Sequence, residues 1–189
     1  MQTLLTFLRQ FKPITDDDAA VITSFFKARQ VKEGEYLFEG GKICRNLFFV
    51  TTGILRIVAI NDKGRDITYY FIGDRQFCTI LKSFNDETVA HDGIQACCDA
   101  SILYISKKDL SALYQKLPYM ADLINEVHQQ RMLEKIRLKN AYSGEDAAER
   151  YRVFLSEQAD IANRVPQHHI ASYLNITPQS LSRIRRSLI

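Results

Sequence analysis

The chain of 189 residues has no tryptophan, only four prolines and four cysteines, and no run of eighteen apolar residues. Without such a run no segment is long enough to cross a bilayer as a helix, and the N-terminus lacks the charged-then-apolar pattern of a signal peptide. A soluble cytoplasmic protein with no membrane partner is the expectation. Cys44, Cys78, Cys97 and Cys98 lack C-x-x-C spacing, and the adjacent pair has poor geometry for a structural bridge. Buried free thiols are expected, with neither metal nor disulfide. Nucleophile-elbow, P-loop and HExxH patterns are missing, and the acids and histidines do not cluster at catalytic spacings, which argues against an enzyme. No cofactor is implied. The most informative absence is at the C-terminal end, where no acidic residue follows Asp160 while Arg164, Arg183, Arg185 and Arg186 do. The last 29 residues thus carry a formal +4 in a chain whose net charge is +3, and a polyanion would meet little there to repel it.

That stretch reads as two short helices and a tight turn. Pro166 suits an opening helical position, and Ile170, Ala171 and Leu174 then share one face. Asn175 tolerates the left-handed conformation, Thr177 can cap a second helix with Pro178 at its first position, and Leu181, Ile184 and Leu188 recur at i, i+3 and i+7. The other face carries Gln179, Ser180, Ser182, Arg183 and Arg186, the amide, hydroxyl and guanidinium groups that meet base edges and phosphates in a major groove. Two arginines closing a helix also complement its dipole, a plainer reading for Arg185 and Arg186.

Upstream, 46% apolar content is ample for a packed core. Residues 1–30 read as helical, with Leu4, Leu5, Leu8 and Phe11 at helical spacing, Pro13 interrupting, and Thr15 capping a second helix that carries Val21, Ile22, Phe25 and Phe26. From Val31 the period becomes two. β-rich runs at 36–38, 47–50, 54–58, 67–72, 93–96 and 102–105 are separated by Gly34, Gly40-Gly41, Gly53, Asn61-Asp62-Lys63-Gly64 and Gly73-Asp74, which predicts a compact antiparallel roll. Ser106 with Asp109 can cap the next helix, which carries Leu110, Leu113 and Leu117. Pro118 can start a longer one to about Tyr142. There Met120, Ile124 and Val127 form one apolar line and Leu123, Val127, Leu133 and Ile136 a second; one line can face its own domain and the other a partner chain, or both can be buried within one chain. Ser143-Gly144 breaks the helix, and Ser143 with Asp146 can cap another carrying Ala148, Tyr151, Phe154 and Leu155. The domains expected are 1–117, the long helix 118–142, and 143–189.

The segments Gly34-Glu35-x-Leu37-Phe38-x-x-Gly41, Leu47-Phe48-Phe49-Val50-x-x-Gly53-x-Leu55-Arg56, Ile105-Ser106-Lys107-Lys108-Asp109-Leu110 and Pro166 to Arg186, in this order, resemble the Crp/Fnr family of bacterial transcription regulators. Glu149-Arg150-Tyr151 and Arg164-Val165-Pro166-Gln167 are similar to a compact subgroup frequent in Bacteroidetes-type bacteria. The resemblance implies an α+β chain: a jelly-roll-like antiparallel β-roll sensor of the cyclic-nucleotide-binding type, a long dimerisation helix, and a C-terminal helix-turn-helix. It implies double-stranded DNA with a palindromic operator and a second copy of the chain through helix 118–142 as partners. An unidentified small-molecule effector and RNA polymerase are further partners consistent with it.

Two departures bear on function. Cyclic-nucleotide binders of the family hold the ribose with Gly-Glu and the phosphate with Arg-Ser/Thr-Ala, positions that fall here on Thr79-Ile80 and Ala90-His91-Asp92. An anionic ligand would lose charge-assisted bonds each worth about 1.5–3 kcal/mol and would face Asp92 instead. No cyclic AMP or cyclic GMP binding is expected, although His91 leaves room for another effector. Haem or iron–sulfur sensing is unsupported, since no cysteine precedes Cys44. At the other end, the family's β-hairpin wing has no counterpart before Ile189, and of its Arg-Glu-x-x-x-Arg recognition pattern only Arg183 matches, with Pro178 and Gln179 at the other places. Arg183 is the best base-reading candidate, able to grip a guanine, and Gln179 can pair with an adenine. Ser180 suits a phosphate or a base edge, and Gln167, His168 and Arg186 suit phosphates. The expectation is a homodimeric, sequence-specific DNA-binding regulator. The alternative is a ligand-binding or protein-interaction module whose helix-turn-helix is vestigial.

Overall fold

In the computed structural model, residues 1–61, 64 and 66–187 are described. Helices α1 (Gln2–Leu8) and α2 (Asp16–Phe25) lead into strands β1 (Lys27–Val31), β2 (Tyr36–Phe38), β3 (Asn46–Thr52), β4 (Leu55–Ile60), β5 (Asp66–Ile72) and β6 (Gln76–Cys78). A short helix α3 (Leu81–Asp86), strands β7 (Gly93–Ala96) and β8 (Ala100–Ser106), and helices α4 (Lys107–Lys116) and α5 (Tyr119–Tyr142) follow. The chain ends in α6 (Ala147–Glu157), α7 (Ala159–Arg164), α8 (Gln167–Tyr173) and α9 (Pro178–Ser187). The strands form two antiparallel four-stranded sheets, ordered β1-β8-β3-β6 and β2-β7-β4-β5.

Strand alternation divides the burial into three layers. Between the sheets lie Phe48, Val50, Leu55, Ile72, Ile94 and Ile102. Leu47, Phe49, Leu103 and Ile105, one position out of phase, join α1, α2, α4 and the first half of α5 in a second core. The outer face of the other sheet contributes Ile54, Phe71 and Cys97 to a third core with α6, α8 and α9. Both sheets are therefore covered on both sides, which is why the run Leu47-Phe48-Phe49-Val50 is apolar without alternation. Gly53 links β3 to β4 at φ +113°, and a Cβ there would lie 2.3 Å from that of Ala100. Only glycine allows this close approach.

Several expectations need correction. The first strand begins at Lys27, inside the segment expected to be helical. Among the described residues it pairs only with β8, and it exposes Lys27 to Gln30, so no apolar alternation marks it. The short elements β6, α3 and α7 carry too few residues for a period to show. Pro166 stands at the N-cap of α8 with extended ψ rather than in its first turn. Asp146 alone caps α6, accepting the Ala148 and Glu149 N–H groups at 2.8 and 2.9 Å, and Ser143 instead ends α5. Leu155 is exposed. Met120, Leu123, Ile124 and Val127 are all buried within the chain, so the two apolar lines of α5 merge in its first half, while Leu133 and Ile136 further along are 67% and 49% exposed. Ser106 caps α4 as expected, accepting the Asp109 N–H at 3.0 Å. Asp62, Lys63 and Leu188 lie outside the described residues.

Candidate nucleic-acid interface and its seat on the roll

The turn between α8 and α9 is built by backbone bonding. Asn175 adopts φ +55°, its N–H donates to the Ser172 carbonyl at 3.1 Å, and the Ile176 N–H donates to the Ala171 carbonyl at 3.0 Å. These are the two bonds of a Schellman C-cap. Thr177 then accepts the Ser180 N–H at 3.1 Å and opens α9. Leu181 is buried and Ile184 packs beside it. At about 100° per residue, Gln179, Ser182, Arg183 and Arg186 fall on the opposite side, and all four are exposed. Ser180 is different: its hydroxyl lies 2.9 Å from that of Thr177 and is engaged in the cap. α9 has no acid in its first turn and two arginines in its last. Gln167, from the start of α8, shares a cleft of about 380 Å³ with Ser182, Arg185 and Arg186. Its buried side-chain oxygen has no partner among the described residues. His168 is exposed beside His169, with ring centroids 3.9 Å apart.

This helix pair sits on β5 of the same chain. The Thr68 N–H donates to the Ser172 hydroxyl at 3.0 Å, and that hydroxyl donates to the Asp66 carbonyl at 3.2 Å. Tyr173 packs on Phe71 with centroids 5.0 Å apart. Arg164 reaches Asp74 at 3.3 Å and Asp160 at 2.7 Å. Beneath α8 lies Arg56, 1% exposed, whose guanidinium donates to Gln95 (2.6 and 2.8 Å), Thr68 (2.9 Å) and Asp66 (2.8 Å). Sequence reasoning gave Arg56 no role, although a single charge inside Ile54–Ile60 is a signal: arginine is seldom fully buried unless paired.

Burial first, then the charges of Arg56 and His168, push the His169 pKa down to about 4. The unfolded chain therefore takes up a proton between pH 6.5 and 4 that the folded chain refuses. This contribution to stability is complete above pH 6.5 and falls by up to about 1.4 kcal/mol per unit as the pH drops toward 4, less to the extent that the ring is solvated. Urea midpoints at pH 7 and pH 5 are expected to differ less in a His169→Gln variant than in the unaltered chain.

The expected effector residues are dispersed in the wall of the roll. The Thr79 hydroxyl donates to the Asn46 carbonyl at 2.9 Å. Ile80 and Ala90 are buried among the inter-sheet residues. His91 is exposed, and Asp92 is half-buried with its pKa raised by desolvation. Of the five, Thr79 borders the space between the roll and α5, a cavity of about 60 Å³. Ligand pockets ordinarily measure about 300–1,000 Å³.

Residues 28–117 match the sequence model of the cyclic nucleotide-binding domain. The matched segment runs from β1 to the end of α4 and so takes in the roll. A putative potassium channel protein of Rhodopseudomonas palustris is 28% identical over 135 residues, 69% of this chain. The chain spans about a third (31%) of that protein's length. The cyclic AMP receptor protein of Thermus thermophilus is 21% identical over 182 residues, 94% of this chain and 84% of the relative. A solved structure of a transcriptional regulator assigned to the Crp/Fnr family, from Eubacterium rectale, superposes with a TM-score of 0.72 at 21% identity, covering 96% of this chain and 87% of the other. The roll, α5 and the C-terminal helices together therefore share the fold of that Crp/Fnr structure. Among the described residues, no helix is long and apolar enough to cross a membrane.

Proposed function

We propose that the chain is a homodimeric, sequence-specific DNA-binding transcription regulator of the Crp/Fnr type, with α9 as its reading helix. The observation that carries this is the outward side of α9: Gln179, Ser182, Arg183 and Arg186 exposed together, with no acid on the helix, beyond a hydrogen-bonded capped turn. Arg183 serves as the base-reading cation, Gln179 as a partner for adenine, and Gln167, His168 and Arg186 as phosphate contacts. Ser180, engaged in the cap, contributes to the helix start more than to readout. A salt titration of affinity for duplex DNA tests this reading: log affinity is expected to fall linearly with log salt concentration. No binding, or binding indifferent to salt, overturns it.

Cyclic AMP is not the effector in this reading. Apolar Ile80 and Ala90 stand where the family resemblance would put charged ligand contacts, and the cavity that Thr79 borders, about 60 Å³, is too small for a nucleotide. Dimerisation through α5 is supported by the exposure of Met132, Leu133 and Ile136, three large apolar side chains within five residues of one helix. A Leu133→Glu, Ile136→Glu double variant is expected to elute with the mass of one 21.8 kDa chain, where the unaltered protein shows twice that mass by light scattering.

A further inference from the structure

We propose that the open pocket of about 570 Å³ lined by β5, the second half of α5, Arg150 of α6 and the α8–α9 turn binds a small anionic ligand with an apolar or aromatic body. Its volume lies within the range of small-molecule sites. Among the described residues three cations line it, Lys135, Lys139 and Arg150, and no carboxylate does. None of the three forms an ion pair with a carboxylate among the described residues. Lys135 is half-buried with its ammonium 4.5 Å above the centre of the Tyr70 ring. Arg150 donates a guanidinium N–H to the Glu145 carbonyl at 2.9 Å, but its buried Nε has no partner among the described residues. A buried donor on a charged group is costly to leave unmade. An anion entering between these side chains supplies the missing acceptor and the missing charge together.

The remaining wall is apolar in character, with Tyr70, Leu138, Tyr142 and Tyr173 offering rings and methyl groups to the ligand's body. The adjoining cleft of about 430 Å³ lacks this imbalance, because Asp74, Glu134, Glu157 and Asp160 line it beside its cations. The floor of the proposed site is the segment from Ser172 to Asn175. Its occupant thus touches the roll, α5 and the turn that aims α9, and its influence on DNA binding rests on the function proposed above.

The test uses the full chain without DNA, so that it stands apart from the DNA-binding reading. The probe is 8-anilinonaphthalene-1-sulfonate, and the control is N-phenyl-1-naphthylamine, the same ring system without the anion. Saturable binding of the sulfonate at one site per chain is expected, about tenfold or more tighter than the neutral probe. That preference is expected to vanish in a Lys139→Gln, Arg150→Gln variant and to persist largely in Arg150→Lys. Should the double variant not fold, the single Lys139→Gln change at the exposed mouth carries the same comparison, with a weakened preference expected. Equal affinity for the two probes, or a preference untouched by these substitutions in folded protein, overturns the proposal.

Discussion

An Arg183→Ala variant is expected to lose about 10- to 100-fold in affinity for its operator, while its affinity for random duplex changes little. Arg183 sits near the middle of the exposed side of α9, and Leu181 and Ile184 hold the opposite side against the rest of the domain. A guanidinium so placed can donate two parallel bonds to one guanine, an interaction worth about 1–3 kcal/mol of discrimination, with about 1.4 kcal/mol for each tenfold in affinity. Arg186 provides the contrast. If it meets a phosphate, Arg186→Ala lowers affinity for operator and random duplex alike and reduces the salt slope by about one. Anisotropy titrations with both duplexes at several salt concentrations separate the two roles.

Truncating Arg56 is expected to have the largest effect on stability, about 3 kcal/mol for Arg56→Ala, read as a shift of the urea unfolding midpoint. The ion pair itself is a minor part of this, because Asp66 is half exposed and water can replace its partner. The loss comes mainly from Thr68, 2% exposed, and from the Gln95 carbonyl that accepts two guanidinium bonds. Both are left unsatisfied beside a new cavity, and removing one member of a buried network costs about 3–5 kcal/mol. Asp66 exposure places the expectation at the lower end. Arg56→Met, which refills the volume, costs less. Because Thr68 also holds Ser172, the alanine variant loosens α8 from the roll before the sheets themselves open.

The local features were legible because their chemistry is local. Asn175 followed by Thr177-Pro178 announced a left-handed cap and a new helix start, and both are present with the expected bonds. The two-residue period from Tyr36 to Ile105 announced the roll. What stayed hidden depends on partners far apart in the chain. Thr68 and Ser172 are separated by 104 residues, Asp74 and Arg164 by 90, and no periodicity relates them. Arg56 was visible as a lone charge, but the helices above it and the neighbours that neutralise it were not. The same holds for Lys135, Lys139 and Arg150, which only the meeting of β5, α5 and α6 turns into one lining. Conversely, the apolar pattern of α5 suggested two continuous lines because Leu123 and Val127 share its phase with Leu133 and Ile136. The fold covers the first pair and exposes the second.

Footprinting the purified protein on genomic fragments bears most directly on the central claim. A two-fold dimer with paired α9 helices should protect a palindrome whose half-sites lie one helical turn, about 34 Å, apart, with the protection lost on Arg183→Ala. Protection without two-fold symmetry, or a palindromic footprint unchanged by that substitution, would contradict it.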